Sequence, residues 1–164
     1  MIALEKVLIA TDFSEPSDVA VRYGLEIARA FRATPILIHV VADGLTRVFG
    51  DGMVVSNPEL QTEREIPSRR RLDLLVNSED RDFLKAQTAV IASAEPADAI
   101  ASYAKVSNVD LIVMGTHGRE ALAHFFMGSI AERVVQIAPC PVLTVAKQSV
   151  SSWCPMRCRP SHTT

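Results

Sequence analysis

Cysteine is scarce in this chain, neither sign of charge dominates, and long hydrophobic runs are missing. Its three cysteines do not form the pattern of a disulfide framework. The net charge of -2 lacks the basic excess of a general nucleic-acid binder. No apolar run approaches membrane-spanning length, and Glu5 and Lys6 interrupt the segment where a signal peptide would begin. We therefore expect a cytoplasmic protein that contacts neither nucleic acid nor membrane.

Apolar residues, by contrast, make up 48% of the chain, so a sizeable core can form. The length suits one domain, which we place at residues 1–147. Residues 148–164 depart from the pattern of this domain and predict a flexible C-terminal tail. Cys154, Cys158 and His162 have C-x3-C-x3-H spacing there, but zinc usually takes four ligands in tighter arrangements. We favour a disordered or loosely docked extension and assign no metal site.

Short aliphatic runs alternate with helical patterns along the domain. The predicted strands cover residues 6–10, 35–41, 87–92, 110–114 and 142–146. Helices are predicted from the N-cap Ser14 to about Arg32, from Glu95 to about Ser107, and from Ser129 to Ala138. This alternation predicts an α/β fold with a mostly parallel sheet. Ligands of such sheets bind outside the carboxyl ends of the strands, where the strand order reverses.

Helical spacing also predicts which side chains face the core. The inward positions are Ala20, Tyr23, Gly24, Ile27, Ala28 and Phe31 in the first helix, Ala97, Ile100, Ala101 and Ala104 in the next, and Ile130, Val134 and Ile137 in the last.

Residues 42–82 are the hardest to interpret. Glycines at 44, 50 and 52 indicate an irregular loop, and Pro67 interrupts a possible helix from residue 58 to about residue 77. We expect a break or a kink at this proline. The arginines at 64 and 69–71 are interpreted as a solvated helix face, because acidic residues are mixed with them.

The most informative stretch is residues 111–129, which reads LIVMGTHGREALAHFFMGS. An apolar strand runs into Gly115, Gly118 follows, and Gly128-Ser129 precedes a helix, with the spacing G-x2-G-x9-G-S. A glycine turn beside a helix start can present backbone N–H groups to an anion. Turn glycines and a helix cap are the simpler alternative. We favour phosphate binding because this spacing follows the end of a strand.

Three residues at the ends of the first two strands are further candidates. Asp12 follows the first strand, where it can either form a turn or accept hydrogen bonds from a ligand. Val40 is either a core residue or part of an apolar wall for a planar base. His39 is interpreted as a strand histidine, because no partner at metal-ligand spacing is visible.

These residues together resemble the universal stress protein family, in its ATP-binding branch. The resemblance covers residues 1 to about 147 and is carried by KVLIATDFS, PILIHVV, DLIVMGTHGR, Gly128-Ser129 and APCPVLTVA. Gly115, Gly118, Gly128 and Ser129 match the glycine pattern of the nucleotide binders. The resemblance implies a Rossmann-like fold of the adenine nucleotide alpha hydrolase type. Its five parallel strands would follow the order 3-2-1-4-5, with helices on both faces.

The resemblance also implies a site for ATP or another adenine nucleotide. Because a triphosphate is highly charged, we expect Mg²⁺ to accompany it. Asp12 would contact the adenine, Val40 would line the base pocket, and His117 and Arg119 would lie over the ribose and phosphates. The full set of expected nucleotide-binding residues is Ala10, Thr11, Asp12, Val40, Met114, Gly115, Thr116, His117, Gly118, Arg119, Gly128, Ser129 and Ile130.

No catalytic residue is assigned, since a histidine beside a phosphate site can simply donate a hydrogen bond. Slow ATP hydrolysis or autophosphorylation, and a nucleotide-free scaffold that acts through an unknown protein partner, stay open as alternatives. An ATP pyrophosphatase would need a glycine-serine loop after the first strand, where this chain has Thr11-Asp12-Phe13-Ser14. The resemblance implies a homodimer through residues 142–146, which also form an apolar edge strand.

Overall fold

The computed structural model describes residues 3–42, 58–116 and 127–146, with only the backbone for residues 58–61. Strands and helices alternate in the order β1 (Lys6–Ala10), α1 (Glu15–Phe31), β2 (Thr34–Val41), α2 (Pro58–Leu75), α3 (Ser78–Leu84), β3 (Gln87–Ala92), α4 (Pro96–Val106), β4 (Leu111–Gly115), α5 (Ser129–Ile137) and β5 (Val142–Val145).

The five strands form one parallel sheet in the order β3-β2-β1-β4-β5, which confirms the predicted order. β1 is central because its residues are aliphatic on both faces, as a strand covered by helices on both sides requires. Ala10 is paired with Ile38 of β2 on one side and with Met114 of β4 on the other. β2 and β3 are added on one side of β1, and β4 and β5 are added on the other side. The strand order therefore reverses between β1 and β4.

Each face of the sheet carries its own core. Alternate β1 residues enter the two cores, with Leu8 on the side of α4 and α5 and Ile9 on the side of α1 and α2. α1 lies close to β1 because Gly24 has no side chain. A Cβ at position 24 would lie 2.6 Å from Cγ1 of Ile9.

The inward face of α1 is narrower than predicted. Ala20, Gly24 and Ala28 are buried, but Tyr23 is 36% exposed and Phe31 is 47% exposed. Placing Tyr23 and Phe31 in the core was wrong, because the small residues bring the helix axis so near the sheet that large flanking side chains are directed outward. In α5, Val134 is buried whereas Ile130 is 45% exposed. The predicted inward face of α4 is confirmed.

α2 continues through Pro67, so a break at this residue is excluded, and a kink, the other expected outcome, stays a prediction. A proline in a helix removes one backbone N–H and weakens the neighbouring turn. The hydroxyl of Ser68 donates to the carbonyl of Arg64 at 2.9 Å, which adds a bond in this turn. Pro67 is also exposed, so water can reach the carbonyl that lost its donor.

α3 was missed by the sequence analysis, although the signal was present. Asn77 caps the helix by accepting from the N–H of Asp80 at 2.7 Å, and Glu79 adds negative charge to the first turn. Arg29 of α1 donates two hydrogen bonds to Asp80, whose side chain is 3% exposed, from Nε at 2.8 Å and from Nη2 at 2.7 Å. This forked ion pair fixes α3 against α1.

Asp110 connects the amino-terminal ends of β1 and β4 by hydrogen bonds. Its Oδ2 accepts from the backbone N–H of Glu5 at 2.7 Å and of Lys6 at 2.9 Å. The ammonium of Lys6 in turn donates to the carbonyl of Ser107 at 2.8 Å. These bonds join the start of β1 to the segment that leads into β4.

Candidate functional site

The loop after β1 is a tight turn shaped by its own side chains. Oδ1 of Asp12 accepts from the backbone N–H of Ser14 at 3.1 Å and from the hydroxyl of Ser14 at 2.5 Å. The N–H of Phe13 donates to Oγ1 of Thr11 at 3.0 Å. Ser14 does occupy the N-cap position of α1, but its hydroxyl binds Asp12 instead of capping the helix. The Asp12 carboxylate is therefore held next to the amino end of α1.

Buried hydroxyl groups support this turn from below. Oγ1 of Thr11 and Oγ of Ser17 lie 3.0 Å apart, and Ser17 also donates to the carbonyl of Ser14 at 2.9 Å. The N–H of Thr11 continues the pairing with β2 by donating to the carbonyl of Ile38 at 3.0 Å. Both Thr11 and Ser17 are buried, so these bonds satisfy polar groups that water cannot reach.

His39 and Arg71, neither of which was among the expected site residues, also contact the turn. Nδ1 of His39 lies 2.7 Å from the carbonyl oxygen of Thr11. The rings of His39 and Phe13 have centroids 4.3 Å apart, and the guanidinium carbon of Arg71 lies 4.2 Å from the Phe13 centroid. The parallel pairing of β1 with β2 continues as the bond from the N–H of Thr11 to the carbonyl of Ile38 and brings His39 to this turn. No local pattern in the sequence indicates that contact.

The carboxyl end of β4 and the amino end of α5 meet on the other side of the point where the strand order reverses. β4 includes Gly115, which was predicted to end it, and the buried Thr116 follows. The N–H of Thr116 donates to the carbonyl of Val145 at 3.0 Å, and its own carbonyl accepts from the N–H of Gly128 at 2.7 Å. Gly128 is the N-cap of α5 and provides no side-chain cap. The amino end of α5 is therefore fixed beside the carboxyl end of β4.

The pairing of Ala10 with Met114 brings these two halves to one edge of the sheet. Asp12 follows Ala10 by two residues, and Gly115-Thr116 follow Met114 directly. Val40 is partly buried and packs against the core of α4 and α5, together with Met127. Ser129 and Ile130 are exposed at the start of α5.

Three of the expected site residues, His117, Gly118 and Arg119, lie outside the described residues. The other ten are placed by the structure at or next to the carboxyl ends of β1, β2 and β4 or at the start of α5: Ala10, Thr11, Asp12, Val40, Met114, Gly115, Thr116, Gly128, Ser129 and Ile130.

Two titratable groups with displaced pKa values lie away from this edge. The hydrogen bonds that Arg29 donates to Asp80 raise the pKa of Arg29 far above its usual value. Burial raises the pKa of the Cys140 thiol, and the negative charge of Asp110 raises it further. Both groups belong to the packing of the fold.

The profile of the universal stress protein family matches residues 3–146. The chain belongs to the universal stress protein family. It is similar to universal stress protein MJ0531 of Methanocaldococcus jannaschii, with 32% identity over 87% of this chain and 82% of that protein. Universal stress protein YxiE of Bacillus subtilis shares 30% identity over 85% of this chain and 97% of its own length.

Solved universal stress proteins share the fold. UspA from Lactobacillus plantarum superposes with a TM-score of 0.68 at 22% identity, covering 88% of this chain and 99% of that one. A universal stress protein in complex with cAMP gives a TM-score of 0.61 at 23% identity, covering 88% and 98% of the two chains. A relative from Archaeoglobus fulgidus in complex with dAMP gives 0.56 at 23% identity, covering 88% and 99%.

The described part of this universal stress protein offers binding groups at the reversal. They are the carboxylate of Asp12, the hydroxyl of Ser129 and the amino end of α5, which favours negative charge. Within residues 3–42, 58–116 and 127–146, no three His, Cys, Asp or Glu side chains form a group that could hold a metal ion. None of the helices in these ranges has the length and apolarity to cross a membrane.

Proposed function

We propose that this universal stress protein binds an adenine nucleotide, ATP with Mg²⁺, between the carboxyl ends of β1 and β4. The observation that carries the proposal is the pairing of Ala10 with Met114, because the Asp12 turn and the start of α5 then follow the carboxyl ends of two neighbouring strands. A carboxylate can accept from the exocyclic amino group of adenine, and a helix amino end stabilises phosphate. The relatives solved with cAMP and dAMP support an adenine ring as the recognised group.

Mg²⁺ fits this site as an ion carried by the triphosphate. A metal bound by the protein alone would need several anionic side chains, which the described residues do not bring together. Mg²⁺ commonly binds through substrate phosphates and keeps several water ligands, so no dedicated set of protein ligands is needed. In this proposal Thr116, Gly128 and Ser129 contact the phosphate side, and Asp12 and Val40 contact the base. The proposal also assigns contacts with the ribose and phosphates to His117, Gly118 and Arg119.

Thermal unfolding with and without Mg-ATP tests the proposal. Nucleotide at a hundred times its dissociation constant should add about 2.7 kcal/mol to the free energy of unfolding. An unchanged melting temperature at millimolar nucleotide would contradict nucleotide binding and favour the scaffold that acts through a partner. Comparison of ATP, AMP, cAMP and dAMP in the same assay identifies the preferred nucleotide. Phosphate release from ATP measures hydrolysis separately.

The variant Ser129→Asp separates binding from stability. Aspartate in the first turn of α5 interacts favourably with the helix dipole, so the melting temperature without ligand should stay the same or rise. The same charge repels the phosphates, so ATP affinity should fall about tenfold or more. Ser129→Asn is the matched control, because it changes size without adding charge. Equal ATP affinity in the two variants would place the phosphates elsewhere.

The homodimer through residues 142–146 is part of the same proposal. β5 is an edge strand in the described sheet, and its Leu143 is 37% exposed. Leu143→Lys should give monomers in sedimentation experiments. A dimer that persists in this variant would exclude the interface.

A further inference from the structure

The carboxylate assigned to base recognition lies in a turn with an unusual backbone. Phe13, directly after Asp12, has a φ of 62°, in the left-handed region that bulky side chains rarely adopt. Such a conformation persists only when surrounding contacts determine it. Local hydrogen bonds supply some of these contacts, but two partners come from other elements of the fold, namely His39 of β2 and Arg71 of α2.

The hydrogen bond from His39 has a defined direction. A carbonyl oxygen only accepts, so Nδ1 of His39 carries a proton and donates to Thr11 across 2.7 Å. His39 is 8% exposed and Thr11 is 6% exposed, so water cannot easily replace this donor. The carbonyl of Thr11 belongs to the peptide group that leads into Asp12. His39 therefore fixes the orientation of the backbone on one side of Asp12.

The side chain of Phe13 fixes the backbone on the other side. Its ring contacts the imidazole of His39, at 4.3 Å between centroids, and the guanidinium of Arg71, at 4.2 Å from the ring centroid. Contacts of this kind, aromatic pairs and cations over rings, each stabilise a defined ring position. The ring position in turn maintains the left-handed conformation at residue 13. Asp12 is thus held between two residues that both contact His39.

We propose that His39 is a positioning residue for nucleotide recognition, which acts through Thr11 and Phe13 to aim the Asp12 carboxylate at the base. The proposal rests on the proposed function and goes beyond it, because it assigns base affinity to a residue that need not touch the nucleotide. Arg71 has a supporting role, as its guanidinium lies over the Phe13 ring. A histidine that only fills space in the core would affect stability and leave base recognition unchanged.

Two substitutions at position 39 separate the hydrogen bond from the ring. His39→Asn keeps an N–H donor near the position of Nδ1, whereas His39→Phe keeps an aromatic ring and loses the donor. Ile36→Val is the control, because Ile36 is a buried residue of the same strand that faces the core beside α4 and α5. It lowers stability without a contact to the turn. Affinity for Mg-ATP and for inorganic tripolyphosphate, which has no base, is measured by calorimetry on each variant.

We expect His39→Phe to weaken Mg-ATP binding about tenfold, the effect of one lost buried hydrogen bond, and to leave tripolyphosphate affinity unchanged. His39→Asn should stay within about threefold of the wild type, since its donor is kept. Ile36→Val should bind both ligands normally. Equal losses of Mg-ATP and tripolyphosphate affinity in His39→Phe, or no loss of either, would overturn the positioning role.

Arg71 provides a second test if His39→Phe does not fold. Arg71→Gln and Arg70→Gln remove the same charge from adjacent exposed positions of α2, but only Arg71 lies over the Phe13 ring. Arg71→Gln should weaken Mg-ATP more than Arg70→Gln, and the two variants should bind tripolyphosphate equally. Identical Mg-ATP affinities would show that the contact between Arg71 and the Phe13 ring does not help to position Asp12.

The experiments distinguish a protein in which His39 does not position Asp12 from a protein that binds no nucleotide. A wild-type protein without affinity for adenine nucleotides would overturn the proposed function and the recognition role of His39 with it. Hydrogen exchange at the amides of Phe13 and Ser14 is independent of ligand. Faster exchange in His39→Phe than in Ile36→Val, at equal global stability, supports the ordering of the turn by His39, and equal exchange would contradict it.

Discussion

Polar side chains have different roles at the two ends of the strands, the amino-terminal ends (the amino edge) and the carboxyl-terminal ends (the carboxyl edge). At the amino edge, Asp110 binds the backbone of Glu5 and Lys6, which lie 105 and 104 residues away in sequence. At the carboxyl edge, most bonds of the Thr11–Ser14 turn connect residues two to six positions apart. The first set fastens distant parts of the chain to each other. The second set gives one short turn a fixed shape.

This difference separates stability from recognition. Long-range bonds such as those of Asp110 join β1 to β4, so their loss should favour unfolding. Local bonds in the turn orient Asp12 at the reversal of the strand order, where ligands of open α/β sheets bind. Their loss should alter binding while the sheet stays intact. The following substitutions test that division, and they are ordered by the size of the expected effect.

Asp110→Ala should have the largest effect on stability. It removes two hydrogen bonds to a charged acceptor, and the free energy of unfolding should fall by about 1–3 kcal/mol. Nucleotide affinity should not change, because the amino edge is remote from the crevice. Urea unfolding and ATP titration measure the two quantities. Asp98→Ala is the control, since its ion pair with Arg133, at 3.6 Å and largely exposed, should contribute less than about 0.5 kcal/mol. A selective loss of ATP affinity in Asp110→Ala would contradict the division.

Ser14→Ala should show the opposite pattern. It removes the hydroxyl that donates to Asp12, so the carboxylate is less restrained and ATP affinity should fall about threefold. Stability should fall by less than about 1 kcal/mol, because the backbone N–H of Ser14 still binds Asp12. Ser68→Ala removes a comparable hydroxyl bond, which joins Ser68 to the carbonyl of Arg64 within α2 and not to the turn. If both variants bind ATP with the affinity of the wild type, the orientation of Asp12 does not depend on this hydroxyl.

Asp110→Asn should produce the smallest change, in the reactivity of Cys140. Burial is the main reason why the pKa of this thiol is raised, and the charge of Asp110 is the next. Neutralising Asp110 should lower this pKa and increase the thiolate fraction at pH 8, so alkylation by iodoacetamide should accelerate about twofold. The variant Cys140→Ser gives the background from Cys154 and Cys158. An unchanged or slower rate would show that Asp110 does not act on this thiol.

Much of the fold was accessible from the sequence because its strands are unbroken aliphatic runs. Lys6–Ala10 and Gln87–Ala92 match their predicted bounds. The parallel direction of the strands follows from their alternation with helices, whereas the order of the strands was implied by the family resemblance. Local rules were insufficient where tertiary contacts decide the outcome. Pro67 remains inside a helix, and Tyr23 lies outside the core that its spacing suggested.

The candidate site could be predicted only in part, because some of its contacts also depend on tertiary packing. Asp12 and the glycines were recognisable, because turn residues after a strand have a local signature. His39 and Arg71 were not, because their contacts with Thr11 and Phe13 depend on β2 and α2 packing beside β1. A histidine inside an apolar strand carries no sign of its partner in the sequence. The pairing of strands has to be known first.

The central position of β1 has a consequence for how the chain folds as it is synthesised. β1 can pair with β2 early, because fewer than thirty residues separate Ala10 from Ile38 in sequence. Its other side stays open until the ribosome has released β4, whose Met114 pairs with the same Ala10. Until then, the central strand of the described sheet presents a bare edge. That interval is when association with other nascent chains, or protection by a chaperone, would decide the yield of folded protein.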